Sequence, residues 1–139
     1  MCDETSIDIG EQLPDDAVIY RACIKKGYIS ENGVEVEPLA FQKQGKNHKD
    51  GLSCAASPEV AAKFFPKNKG IIRISVAAIR AIERDLEICF DATDPNHILI
   101  RRLPCMDRED DERELAEAVS NELAKRAEIE STINVPPPE

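Results

Sequence analysis

The chain has 139 residues, 42% of them hydrophobic and 32% charged, with a net charge of -9. That length fits one domain that buries roughly two-thirds of its unfolded surface, and the composition is too apolar for a disordered chain. No apolar run approaches the ~18 residues of a membrane-spanning helix, and the pI near 4.8 argues against general nucleic-acid binding.

The charge is unevenly laid out: residues 1 to 16 hold six acids and no bases, and residues 107 to 130 hold ten acids and four bases. Between them, fourteen Lys and Arg face ten Asp and Glu, so a mildly basic body sits between acidic flanks. The cysteines Cys2, Cys23, Cys54, Cys89 and Cys105 form no C-x-x-C pair and have no histidine nearby to complete a zinc site. Buried, reduced thiols are predicted. With no basic and apolar signal-peptide pattern at the N-terminus, the expected location is the cytoplasm.

Residues 1–16, ending in Leu13-Pro14-Asp15-Asp16, read as a disordered acidic arm and turn, and the globular domain is expected over 17–130. From Val18 to Ile24 alternation puts Val18, Tyr20, Ala22 and Ile24 on one face and Ile19, Arg21 and Cys23 on the other. An interior strand with a single charge is predicted. Glu31-Asn32-Gly33 is a turn, and residues 42–50 read as an exposed loop.

Leu52 to Ala55 is a short strand, and Ser57-Pro58 opens a helix that Pro66 ends. Gly70 to Ile74 is a strand, followed by a short helix capped by Ser75 and carrying Val76, Ile79 and Ile82. Strands at Leu86–Phe90 and Ile98–Ile100 flank a turn from Asp91 through Asn96 built on Asp94-Pro95-Asn96. The last helix is predicted over 108–128, with Asp107 as N-cap and Leu115, Val119 and Leu123 on its apolar face. Residues 131–139, with three prolines, read as a disordered tail. The expected class is α+β: a small mixed or antiparallel sheet of about five strands, two short helices and one long C-terminal helix.

Arg21, Ser53 and His97 are the candidate ligand-binding residues. A guanidinium on an apolar strand needs a carboxylate or phosphate to offset its desolvation, or else it is one half of a structural ion pair. Ser53 follows a basic loop and could bind a ligand or satisfy a neighbouring backbone group. His97 could act as acid or base near neutral pH, or cap a turn. Lys25 and Lys26, the lysines at 43, 46 and 49, and Arg101 and Arg102 would form an anion-attracting rim if they converge; His48 reads as solvated. No Walker loop, dinucleotide fingerprint, H-E-x-x-H or helix-turn-helix pattern is present.

Tyr20-Arg21, Leu39-Ala40-Phe41, Asp50-Gly51-Leu52-Ser53, Gly70 to Ile74 and Asp94-Pro95-Asn96-His97, in that order, resemble a family of small bacterial proteins. That family reads tyrosine-arginine, alanine-phenylalanine, glycine-leucine-serine and asparagine-x-histidine, and the resemblance implies no particular activity. More distantly, the chain is similar to ADP-ribosyltransferase-like folds, in which an early strand carries an arginine or histidine for the dinucleotide and a second strand a hydroxyl residue. That likeness implies Arg21 and Ser53 in those places, Glu87 or His97 in the third, and NAD as ligand.

Two functions follow as expectations. The first is a non-catalytic interaction or accessory protein with a protein partner recognised through its acidic flanks. The alternative is a nucleotide- or phosphate-binding enzyme using Arg21, Ser53 and His97, with those side chains around one cleft and the loop at 42–50 as its lid.

Overall fold

The computed structural model describes residues 9–44, 51–82, 85–107 and 111–138. Among the described residues the strands are β1 (Ile9–Gln12), β2 (Val18–Ala22), β3 (Leu52–Ala55), β4 (Ile71–Ser75), β5 (Glu87–Asp91), β6 (Asp94–Arg101) and β7 (Glu128–Ser131). They form one sheet in the order β1-β5-β6-β3-β2-β4-β7, with every neighbouring pair antiparallel. The helices are α1 (Pro58–Phe64), α2 (Val76–Ile82) and α3 (Asp111–Arg126), with a 3-10 turn at Pro38–Phe41.

Strand alternation sorts the sheet into two unequal faces. Ile19, Cys54, Ile72, Ile74, Ile88, Ile98 and Ile100 pack with α2 and α3 through Val76, Ile79, Val119 and Leu123. The other face is thinner: Ala22, Ala55 and Ile71 pack with Ala61 of α1, and Phe64, Phe65 and Val135 lie against them. With almost no large aromatics, the main core is an isoleucine layer, which suits β-branched residues on a pleated surface.

Local chemistry sets the helix starts. Ser57 Oγ accepts from the Val60 amide with Pro58 in the first turn, and Ser75 Oγ accepts from Ala78, so each short helix begins at a serine cap. Helix α3 has Asp111, Glu112 and Glu114 at its start and Lys125 and Arg126 at its end, each charge favourable to the helix dipole. Its buried stripe is Ala116, Val119, Ser120, Leu123 and Ala124; Leu115, expected on that face, is 48% exposed.

Five strands were expected, and the sheet has two more at its edges. Ile9–Gln12 pairs with β5, and Glu128–Ser131 pairs with β4 just beyond α3, which ends at Arg126 rather than at the expected 128. Edge strands this short and polar carry little period-two signal, and their existence depends on a neighbour that only the folded sheet supplies. The arm is also anchored by Leu13, which is buried and donates its amide to Ile88.

The tail is tied down as far as Val135. Asn68, buried, donates to the carbonyls of Phe65 and Val135 and accepts from the amides of Gly70 and Val135. Asn134 returns two bonds to the carbonyls of Pro66 and Asn68. Gly70 makes this approach possible: its φ is +128°, and a Cβ there would collide with the Ser131 carbonyl oxygen.

Cys23, Cys54 and Cys89 are free and buried, but Cys105, expected as a reduced thiol, is disulfide-bonded. No described helix is long and apolar enough to cross a membrane.

Candidate functional site

The β5–β6 hairpin turns at Ala92-Thr93, inside the Asp91–Asn96 stretch expected as a turn, while Asp94, Pro95 and Asn96 already belong to β6. The pairing passes from Phe90↔Ile98 to Asp91↔Asp94, so one step along β5 is matched by four along β6. The extra residues of β6 are Pro95, Asn96 and His97; proline lacks the amide a regular ladder needs, and such an irregularity re-aims the side chains around it. His97 keeps its place opposite Ala55 of β3 while facing the end of β5.

The result is a row of three side chains. Ser53 Oγ lies 2.8 Å from His97 Nε2, and His97 Nδ1 lies 3.0 Å from Asp91 Oδ2. The ladder explains the first contact: Ser53 is opposite Leu99 and Ala55 opposite His97, so Ser53 and His97 are diagonal neighbours on the same face. The second follows from the hairpin, because Asp91 is two residues beyond Cys89, which pairs with Leu99 on that face.

The far oxygen of Asp91 is held as well. Oδ1 accepts from the Thr93 hydroxyl at 2.7 Å and the Thr93 amide at 2.9 Å. The Thr93 hydroxyl, then His97, then the Thr93 amide hold the Asp91 carboxyl down at about 2, against burial, which opposes them. Asp91 is therefore ionised at neutral pH and can only accept. In the neutral imidazole the proton sits on Nδ1, and the Nε2 lone pair is left for the Ser53 hydroxyl. Phe64 of α1 meets the imidazole edge-on at 5.4 Å between ring centroids, which fixes the ring plane from the side opposite the strands. The side chains of His97 and Asp91 are 23% and 14% exposed, and Ser53 is half-buried like them.

Arg21 reaches this row by another route. It alternates with Tyr20, which pairs with Ala55, and so lies on the opposite face from Ser53 and His97. Its Nε donates to the Ala40 carbonyl at 2.6 Å and its Nη1 to the Ser53 carbonyl at 2.7 Å, and the guanidinium lies 5.6 Å from the Tyr28 ring centroid. Among the described residues no carboxylate pairs with it. The charge is held by backbone dipoles and an aromatic face, and the ladder between β2 and β3, registered at Tyr20↔Ala55, is extended by a side chain. Ser53 and His97 are thus brought together, and Arg21 is joined to Ser53 through the backbone only.

The remaining candidates scatter. Glu87 is paired with Arg102 at 2.9 Å, at the opposite end of β5 from Asp91. Lys43 is buried, with Nζ 3.4 Å from the Leu103 carbonyl, and so does not belong to a solvent-facing rim. His48, Lys46 and Lys49, and most of the loop expected as a lid, lie outside the described residues. The larger clefts described are lined elsewhere, the largest, about 880 Å³, between residues 33–38 and the end of α3 with β7. Burial pushes the Cys23 thiol up to about 12 and the Cys54 thiol up to about 11, with the Arg21 charge opposing in both. Neither is a thiolate nucleophile at neutral pH. Among the described residues no group of three His, Cys, Asp or Glu is placed to hold a metal.

Asp91 and Thr93 are the residues that the sequence reading missed. Asp91 stands six residues before His97, and a hairpin turning immediately after it would have set the two side by side. Comparisons with family models, with curated proteins and with solved structures return no match.

Proposed function

We propose that this chain is an enzyme that transfers or hydrolyses an activated acyl group through Ser53. The observation that carries the proposal is the Ser53–His97–Asp91 row, with hydrogen-bond distances of 2.8 and 3.0 Å and a single tautomer imposed by an ionised acid. His97 Nε2 takes the proton as Ser53 Oγ bonds to the carbonyl carbon, and Asp91 stabilises the imidazolium that forms. The same proton passes to the leaving group as its bond to carbon breaks. A water then bonds to the acyl carbon as it gives a proton to His97, and that proton passes to Ser53 Oγ as the ester bond breaks, which releases the acid and restores Ser53. Asp91 is a positioning residue here, and Ser53 and His97 are the groups that react.

A non-catalytic accessory protein has no use for a serine whose hydroxyl is aimed at the free lone pair of a fixed imidazole, so the interaction reading comes second. The NAD-binding, ADP-ribosyltransferase-like reading has one observation in its favour: Arg21 and Ser53 occupy adjacent strands and are joined at 2.7 Å.

Hydrolysis of p-nitrophenyl acetate by the purified chain separates these. A burst of nitrophenol approaching one equivalent, lost in Ser53→Ala and in His97→Gln, is expected for the acyl-transfer reading. A rate equal in all three proteins would mean that the row is structural and would return the interaction reading to first place.

A further inference from the structure

A second cleft, of about 710 Å³, lies where the stretch after β2, the approach to β4 and the exit of β7 meet, and Lys25, Lys26 and Lys69 line it. Its polar wall is Ser30, Asn32 and Thr132. Lys67, with Lys69 and Thr132, lines the cleft adjoining it. We infer that this cleft binds a small phosphorylated anion.

The argument starts from how this chain treats its other cations. Arg73 pairs with Glu128 and Glu130, Arg80 with Asp15, Arg102 with Glu87, Arg113 with Glu117, and Lys125 and Arg126 with Glu122. In a chain of net charge -9 carboxylates are plentiful, yet Lys25, Lys26, Lys67 and Lys69 are exposed and pair with none among the described residues. Gathering like charges without counter-ions raises the local potential, and a concave wall concentrates it. Only Glu31 among the lining residues opposes the three lysines.

The frame under the lysines is fixed. The Lys69 amide donates to the Cys23 carbonyl at 2.6 Å, the Cys23 amide to Gly70 at 2.9 Å, and the Gly33 amide to Ser30 at 2.8 Å. The ammonium stems therefore rise from two segments bonded to each other beside a closed turn, and the Thr132 hydroxyl, which has no partner among the described residues, is available to an anion. The volume is that of a small-molecule site. An ammonium is a point charge on a flexible stem, which suits a phosphate or diphosphate better than it suits a planar carboxylate. This inference shares no residue with the Ser53 row, and either can fail alone.

Inorganic pyrophosphate is the probe. Calorimetric titration should show saturable binding to the intact chain that weakens as salt is raised. The Lys25→Gln, Lys26→Gln, Lys69→Gln triple variant should lose at least tenfold in affinity, while a Lys63→Gln, Arg113→Gln, Lys125→Gln control, with the same change in charge, keeps it. Should the triple variant fail to fold, amide shifts of the intact chain under pyrophosphate serve instead, and they are expected at Gly27, Ser30, Asn32 and Thr132. Absence of saturable binding at millimolar pyrophosphate, equal loss in the control variant, amide shifts confined to other residues, or binding of an oligonucleotide that pyrophosphate does not displace would each overturn the inference.

Discussion

Ser53 Oγ and His97 Nε2 are 2.8 Å apart because β3 and β6 pair in a register that makes the two residues diagonal neighbours on one face. Asp91 completes the row from β5, so three adjacent positions of one sheet supply the hydroxyl, the base and the acid. Ser53 and His97 are held by the strand ladder, and Thr93 of the hairpin turn holds the far oxygen of Asp91.

Replacing Asp91 by Asn tests the role given to the acid. An amide can donate to Nδ1 as readily as accept from it, so the proton is free to move to Nε2, where it blocks the lone pair that Ser53 requires. Acylation of Ser53 is expected to slow by about 10³-fold or more, together with a lower melting temperature because the carboxylate's stabilising bonds are lost. Stopped-flow measurement of the nitrophenyl ester burst reads the rate directly.

The depressed Asp91 carboxyl carries a stability consequence. Its folded value of about 2 lies below the ordinary 3.8, so the folded state holds the proton less tightly than the unfolded chain does. The stabilisation is complete above about pH 4 and is lost as pH falls toward 2. The Thr93 hydroxyl is the largest cause, so Thr93→Val is expected to raise the Asp91 midpoint and move the acid transition upward. Carbon-detected NMR titration of the carboxyl checks the sign.

Arg21 is expected to matter for folding more than for ligand capture. Arg21→Met leaves the Ala40 and Ser53 carbonyls without their charged donor, a loss of about 3 kcal/mol, or roughly ten degrees of melting temperature at this size. Arg21→Lys recovers only part, because an ammonium cannot span both carbonyls in the planar fork that guanidinium provides. Thermal melts of both variants measure the two losses.

Asn68 holds the end of the chain to the sheet. Its carboxamide makes four hydrogen bonds, two of them to Val135. Asn68→Ala should cost about 2 kcal/mol or more and expose the chain beyond Ser131 to proteolysis. Limited digestion followed by mass spectrometry would show cleavage between Ser131 and Val135 in the variant before any elsewhere.

Much of the inner sheet was legible in the residues. Alternation over Val18–Ile24, an apolar run at Gly70–Ile74, serine caps at Ser57 and Ser75, and dipole-matched charges on α3 are local signals that tertiary contacts reinforce. The edge strands were not legible, since Ile9–Gln12 and Glu128–Ser131 are strands only because β5 and β4 offer them a partner. At the site, Ser53 and His97 stood out by residue type, and Asp91 did not. Its part depends on where the hairpin turns and on the irregular pairing opposite Pro95, and Asp94-Pro95-Asn96 is the stronger turn signal by composition. The fate of Arg21 was hidden for a similar reason: the carbonyls it meets come from Ala40 and Ser53, 19 and 32 residues along the chain.

The most direct measurement is covalent labelling with an alkyl fluorophosphonate, followed by intact mass and peptide mapping. A single adduct on Ser53, abolished in His97→Gln, is the predicted result. An unlabelled chain, or an adduct at another residue that forms equally well without His97, would contradict a reactive Ser53.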